Sequence, residues 1–462
     1  MARGKKKETL TPEERLQAAL VPVSEQPYKV PGNWCWTQLG TYIDFATDYV
    51  ANGSFASLKQ NVAYYKEENY AILVKTQDFS NSFTEDLTYT DKRGYDFLKK
   101  SVLYGGELIL SNIGSIGKVF RVPHLNKPMT LAPNSIMIKC YRETDYDLLY
   151  YYFLSPFGTE QLYSITTGTA VKKFNKTDLK AICLPLPPLS EQQRIVDRIE
   201  SLFAKLDEAK QKAQDALDSF ETRKAAILHR AFTGELTAQW RKEHGVGMES
   251  WKEETLESVC YSIFDGDHMP PPKSEQGIPF LVISNVNTGH LSFENTRFVP
   301  ESYYEALSDT RKPEYGDVLY TLVGSYGIPV IVDREHPFCF QRHMALLKPK
   351  NIDSYYLWYI LQSREMFEKA TQIATGTAQL TVPIKGLRQL KFNCASANEQ
   401  GEIVRILDDL LAKEQQAKDA AEGVLEQIDL IKKAILARAF RGELGTNDPS
   451  EESAVELLKQ VL

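Results

Sequence analysis

The chain carries one short ending twice. AFTGEL at Ala231–Leu236 returns as AFRGEL at Ala439–Leu444, 208 residues later. Sliding the chain by that offset lays Glu191–Leu236 on Glu399–Leu444 without a gap, with 21 of 46 positions identical. A repeat of this size constrains the fold more than any local propensity, because like segments fold alike and pack in like surroundings. The match extends outward more weakly. GTAVKKFN at Gly168–Asn175 aligns with GTAQLTVP at Gly376–Pro383, and YGGELILSNIGSIGKV (Tyr104–Val119) resembles YGDVLYTLVGSYGIPV (Tyr315–Val330). Near the front of each copy, Trp34, Trp36 and Leu39 correspond to Trp251 and Leu256. The chain is therefore two tandem units, each a variable part followed by a well-matched part.

The matched part reads as a long helix. Pro185, Pro187 and Pro188 precede it, and Ser190 with Gln193 three places on is the pattern of a helix cap. Apolar residues then fall at Ile195, Ile199, Leu202, Leu206, Ala209, Ala213, Ala216 and Phe220, alternating steps of four and three, and again at Ile227. That is a heptad seam. Gly234 is a natural stop. About 45 residues at ~1.5 Å each span roughly 65–70 Å. The second copy repeats the seam at Ile403, Leu407, Leu410, Ala417, Ala421, Val424, Ile428, Ile431 and Ile435.

Two seam positions break the pattern. Glu414 stands where copy one has Leu206, and Arg223 stands where copy two has Ile431. An antiparallel pairing that sets Arg223 opposite Glu414 also sets Leu206 opposite Ile431, Phe220 opposite Ala417, Ala209 opposite Ile428 and Ala213 opposite Val424. Large then meets small, and the two misplaced charges meet each other. The expectation is an antiparallel intramolecular coiled coil whose register is helped by the Arg223–Glu414 pair.

The variable parts read as an α+β pattern. Leu108–Leu110, Val119–Val122 and Ser135–Cys140 look like strands, while Asp145–Ser164 and Asp353–Ala370 look like helices. Three kinds of loop suit contact with DNA. The Gly-Ser-x-Gly turn offers Ser115 and Lys118 in the first copy and Ser325 and Tyr326 in the second. A second loop offers Thr167, Thr169, Lys172 and Lys173, matched by Thr375, Thr377 and Gln379. The third is Asp265-Gly266-Asp267-His268, with His268 the candidate contact. Glycine lets the backbone approach phosphate, and hydroxyl, amide and ammonium groups supply donors. Each glycine turn also reads as a plain structural turn.

Several classes are set aside. There is no GxxxxGK[ST] loop, no GxGxxG opening a helix and no GxSxG elbow. The six cysteines form no CxxC or Cys/His cluster, and no ligand set completes Asp265–His268, so neither metal nor catalytic residues are expected. The start, with Lys5–Lys7, has no apolar core behind it, and no long uncharged apolar run suggests a membrane span. A net charge of −7 argues against a protein whose whole surface grips DNA, leaving local basic loops or a shared basic partner.

PLPPLSEQQRIV, RIESLFAKLDE, AILHRAFTGEL and AILARAFRGEL resemble the specificity (HsdS-type) subunits of type I restriction–modification systems, and DGDHMPPPKSEQGIPFL resembles the opening of one of that family's target-recognition domains. The resemblance implies a non-catalytic subunit of α+β class. Two tandem α/β target-recognition domains are separated by two long helices that form an antiparallel coiled coil, a pseudo-two-fold internal repeat. The expected division is an N-terminal extension at 1–30, target-recognition domains at 31–188 and 237–396, spacer helices at 189–236 and 397–444, and a tail at 445–462.

By the same resemblance, the chain reads a bipartite, asymmetric site on double-stranded DNA and docks two methyltransferase subunits that use S-adenosylmethionine. Two restriction subunits using ATP and Mg would complete the complex, in the cytoplasm. The rival readings are a coiled-coil adaptor that binds only protein, and an antirestriction mimic that docks the methyltransferase without reading DNA. If the helices act as a ruler, inserting a heptad-scale segment in both changes the spacer between half-sites and leaves the half-sites alone. An unchanged spacer in the methylated motif refutes the ruler.

Overall fold

The computed structural model describes residues 11–141, 145–268 and 270–462; the Lys5–Lys7 run and Met269 lie outside them. The chain divides into two compact units, and neither is one of the tandem copies. One unit takes the residues up to Lys212 together with Val424–Leu462, and the other takes Ala213–Gly423. Each unit therefore holds one variable domain, the first half of the matched helix that follows it, and the second half of the other copy's helix.

In the first unit, apolar runs form two four-stranded sheets. One runs in the order Ile43–Asp48, Ser135–Cys140, Leu108–Ser111, Val119–Arg121, antiparallel throughout. The other runs Tyr89–Thr90, Ala71–Val74, Met129–Leu131, Val102–Leu103, with a parallel pair at its centre. The second unit repeats the design. Cys260–Asp265, Met344–Pro349, Val318–Thr321 and Pro329–Ile331 make the antiparallel sheet, and Arg297–Val299, Ile278–Leu281 and Cys339–Phe340 make the smaller one, its last two strands parallel. In each unit a two-stranded ribbon, Cys35–Gln38 with Cys183–Leu186 or Lys252–Thr255 with Lys391–Cys394, ties the ends of the variable domain together just before the long helix.

The expected single helices over Asp145–Ser164 and Asp353–Ala370 are each two. Tyr146–Leu154 is followed by Pro156–Ser164, because Ser155 takes an extended backbone and its Oγ accepts from Gly158 N at 3.0 Å, while Pro156 has no N–H to continue the first helix. Ser363 likewise caps Arg364–Ile373 after Ser354–Leu361. The first matched helix starts at Leu189, one residue before Ser190, with the Glu191 and Gln192 amides donating to Pro188 O. It is also interrupted, running Leu189–Asp218 and then Phe220–Phe232. At the break Arg223 Nη1 reaches back to Ala216 O at 3.2 Å and to the Ser219 hydroxyl, and side chains that reach into the backbone ladder in this way bend helices. The second matched helix is continuous over Ala397–Ala439, 43 residues.

Within each unit the two helix halves pack antiparallel. In the first, Lys432 Nζ sits 2.6 Å from Asp207 and over the Phe203 ring, and Leu436, Ala439 and Phe440 share a core with Ile195, Val196 and Ile199. In the second, Arg223 Nε lies 2.7 Å from Glu414 Oε2, and Leu228, Ala231 and Phe232 share a core with Ile403 and Leu407. The second helix does not bury its seam evenly. Leu407, Ala421 and Ile428 are buried, but Ala417 is exposed and Val424 and Ile431 are 41% and 42% exposed. Phe220 is covered by Lys418 Nζ, 4.9 Å from the ring centre.

The repeated ending has a local explanation. Glu191 and Glu399, in the first turn of each long helix, are fully buried. Glu191 accepts from Trp34 Nε1 at 2.7 Å, Asn447 Nδ2 at 2.8 Å and Thr446 Oγ1 at 3.0 Å. Glu399 accepts from Trp251 Nε1 at 2.8 Å, Thr237 Oγ1 at 2.6 Å and Arg241 Nη1 at 2.5 Å. Thr237 and Thr446 stand just past AFTGEL and AFRGEL. Each helix end thus closes over the carboxylate that starts the other copy's helix. The phenylalanines plug in beside it, Phe232 edge-on to Tyr356 and Phe440 edge-on to Tyr152. Gly234 and Gly442 both have positive φ, and a Cβ on Gly442 would fall 2.4 Å from Pro31. A buried carboxylate is costly unless its lone pairs are satisfied, and three donors with a helix N-terminus offset that cost here.

Two predictions follow from these contacts. Glu399→Ala strands the buried Arg241 guanidinium and should cost about 3–5 kcal/mol in denaturant unfolding; a loss under about 1 kcal/mol would show that the lock is idle. Arg223 and Glu414 keep 36% and 23% of their side chains exposed, so a double-mutant cycle should return a coupling of about 1 kcal/mol, well short of a fully buried pair. Zero coupling would remove the pair from any part in register.

Candidate nucleic-acid interface

In each unit the structure brings the Gly-Ser-x-Gly turn and the Thr-Gly-Thr loop together and builds them alike. In the first, Thr167 N donates to Lys173 O at 2.8 Å and Lys173 N returns to Thr167 O at 2.9 Å, closing a small hairpin. Gly114 N, at the start of the Gly-Ser-x-Gly turn, donates to Lys172 O at 3.0 Å. In the second, Thr375 and Thr381 close the hairpin at 2.9 and 2.8 Å, and Gly324 N donates to Leu380 O at 3.1 Å. The hairpin and the turn are thus one surface, held through backbone atoms and free to carry different side chains.

The glycines earn their place locally. Gly114, Gly117, Gly324 and Gly327 all have positive φ. A Cβ on Gly168 or Gly376 would strike the carbonyl of Val171 or Gln379 at 2.4 Å. The repeated glycines therefore follow from turn geometry alone, and what differs between the copies is what the turns display. Ser115, Lys118, Thr167, Thr169, Lys172 and Lys173 are all exposed, and Lys172 Nζ lies 5.9 Å from the centre of the Tyr163 ring. In the second unit Ser325, Thr375, Thr377 and Gln379 are exposed, while Tyr326 is half-buried, stacked on Phe367 and bonded to Thr371 Oγ1 at 3.1 Å. The first surface is cationic; the second is hydroxyl, amide and aromatic.

His268 is apart from the hairpin. It is 63% exposed and its Nε2 lies 2.9 Å from Asp265 Oδ2. Asp267 is tied back to Tyr303 Oη at 3.0 Å and to Arg311 Nη1 at 3.4 Å, and burial with that carboxylate pushes the Tyr303 phenol up. A Cβ on Gly266 would meet Phe340 O at 2.4 Å, so this segment is a tight turn against residues 340–343. No group of three or more His, Cys, Asp or Glu side chains among the described residues could hold a metal. Among the described residues, no helix is long and apolar enough to cross a membrane.

Sequence reasoning passed over Glu191 and Glu399, although Glu-Gln opens both matched stretches. Gln192 and Gln400 work beside them: Tyr42 Oη donates to Gln192 Oε1 at 2.9 Å, and Asp353 N donates to Gln400 Oε1 at 2.8 Å. An identical polar pair at the start of an apolar seam was the available signal.

A family described as "Type I restriction modification DNA specificity domain" matches residues 50–217 and again 248–422. The chain is 24% identical over 431 residues to the type I restriction enzyme EcoKI specificity subunit of Escherichia coli strain K12, spanning 87% of this chain and 90% of that one. It is 25% identical over 347 residues to the EcoBI specificity subunit of Escherichia coli, 69% of this chain and 72% of the relative. The HsdS subunit from Thermoanaerobacter tengcongensis has a similar fold, with a TM-score of 0.61 at 22% identity over 91% of this chain and all of that one.

Proposed function

We infer the function from one premise: the chain belongs to the type I restriction–modification DNA specificity family. It is the sequence-specificity subunit of such a complex. Each variable domain reads one half of a bipartite DNA site, and the paired helices hold the two readers and dock methyltransferase subunits. The observation that carries this is the double match to a DNA specificity domain, once in each variable part and running into each long helix. It also disfavours the adaptor and the mimic, since both readers are kept.

The two readers display different side chains on like backbones, which supports half-sites of different sequence. The finer roles belong to the partners. Two methyltransferase subunits bind S-adenosylmethionine and methylate adenine at N6, the target base being flipped into their pocket. Two restriction subunits use ATP and Mg. This chain supplies no catalytic group and works in the cytoplasm. Ser115, Lys118, Thr167, Thr169, Lys172 and Lys173 contact one half-site, and His268, Ser325, Tyr326, Thr375, Thr377 and Gln379 the other.

The deciding experiment expresses the chain with its methyltransferase in a methylation-free host and maps N6-methyladenine. A split, asymmetric motif is expected. A stable complex that deposits no new methylation would overturn the reading. Lys172→Ala with Lys173→Ala should weaken DNA binding on any sequence and lower the salt slope of log K by up to about 2; an unchanged slope would take these lysines off the phosphates.

A further inference from the structure

Among the described residues each reader has one parallel strand pair, and its carboxyl ends lie beside the Gly-Ser-x-Gly turn. Crevices outside the carboxyl ends of parallel strands are where sheets of mixed α/β proteins tend to take ligands. In the first reader, Ala71–Val74 leads into Lys75–Gln77, and Met129–Leu131 leads into Ala132–Asn134. These ends line a cleft of about 570 Å³ with Tyr64, Tyr65, Lys66, Lys75, Gln77 and Asn134. Ser115 of the turn lines it too, and no carboxylate does. In a chain of net charge −7, a cleft with two lysines and no acid is suited to a polyanion.

Two details go further than charge. Gln77 and Asn134 are exposed, and their side-chain amides have no partner among the described residues. Their backbones, by contrast, are held in a way that both readers share. Asn112 N donates to Asn134 O at 3.2 Å, and at the equivalent place Leu322 N donates to His343 O at 2.8 Å. Asp78 Oδ2 accepts from Lys75 N at 2.8 Å to close the turn that carries Gln77, and Asn285 Oδ1 accepts from Val282 N at 3.0 Å to close the turn that carries Ser284. The same frame presents Gln77 and Asn134 in one reader, Ser284 and His343 in the other. Arg342, beside His343, is exposed.

We propose that the ends of the parallel strand pair are the base-reading positions of each reader, with Gln77 and Asn134 contacting base edges in the first half-site while Lys66 and Lys75 hold the flanking phosphates. This rests on the reading of the chain as a DNA specificity subunit. A free amide pairs with an adenine edge through two hydrogen bonds, and a constant frame with exchangeable side chains is what two different half-sites require.

The test uses the full chain with its methyltransferase, and the wild-type motif as reference. Asn134 has φ +72°, so Asn134→Gly removes the amide while keeping a backbone that glycine favours. Gln77→Ala removes the other amide, and Arg342→Ala marks the half-site of the second reader. Each of the first two should make one base degenerate, with the use of other bases there rising on the order of tenfold or more. That base should lie in the half-site that Arg342→Ala leaves intact. An unchanged motif, degeneracy in the same half as Arg342→Ala, or complete loss of methylation with the complex still assembled would overturn the proposal. A wild-type chain that yields no split motif would instead remove the specificity reading on which it stands.

Discussion

A carboxylate with no water around it must be satisfied by the protein, and the architecture of this chain is arranged about two of them. Glu191 and Glu399 collect an indole N–H, a threonine hydroxyl and one further donor apiece. The indole comes from the residue just before the ribbon strand, in the variable domain that the helix follows. The threonine comes from just beyond the far end of the other copy's helix. One short group of contacts therefore joins the start of a reader, the start of its helix and the end of the other helix. None of the three can be displaced without leaving buried polar atoms unpaired. The repeated Ala-Phe-x-Gly-Glu-Leu is the sequence cost of that closure: small Ala231 and Ala439 to pass, Phe232 and Phe440 to fill, Gly234 and Gly442 to turn back.

Around that symmetric frame the surfaces diverge. Backbone bonds such as Gly114 N to Lys172 O and Gly324 N to Leu380 O are reproduced, yet Lys172 and Lys173 are replaced by Leu380 and Thr381. Side chains that only display themselves are free to vary once main-chain atoms carry the geometry. The same separation holds at the strand ends, where Asn134 and His343 occupy one frame position.

How much of this the sequence reveals depends on the kind of force involved. The two copies, the long helices and the antiparallel pairing rest on periodicity and volume, which a sequence displays directly; the strand Ser135–Cys140 has the same bounds in both readings. Helix breaks at Ser155 and Ser363 depend on a hydroxyl choosing the backbone over solvent, and the break at Ser219 on the Arg223 guanidinium reaching back to it, choices that local pattern leaves open. Heptad spacing sets Val424 and Ile431 on the seam opposite Ala213 and Leu206, yet both stand half open. Heptad spacing shows which residues share a stripe, not how far that stripe is rotated toward its neighbour. The loop candidates were legible as exposed, polar and glycine-bound. Their convergence in space was not, because Gly114 and Lys172 are joined by main-chain atoms that carry no residue signature.

The division of the chain between its units also sets an order in time. A ribosome releases residues 213–423 as one uninterrupted stretch, so the second reader has all its parts when that stretch is out. The first reader begins emerging long before, yet Leu436, Phe440, Ala454, Leu457 and Leu458 belong to its core and arrive last. Until then Trp34, Tyr42, Ile195 and Ile199 lack part of their packing and Glu191 lacks two of its three donors. Domains ordinarily complete in the order in which they are made. In this chain the first reader is begun before the second and completed after it, and the apolar faces of Ile195 and Ile199 stay partly open while all of residues 213–423 are made.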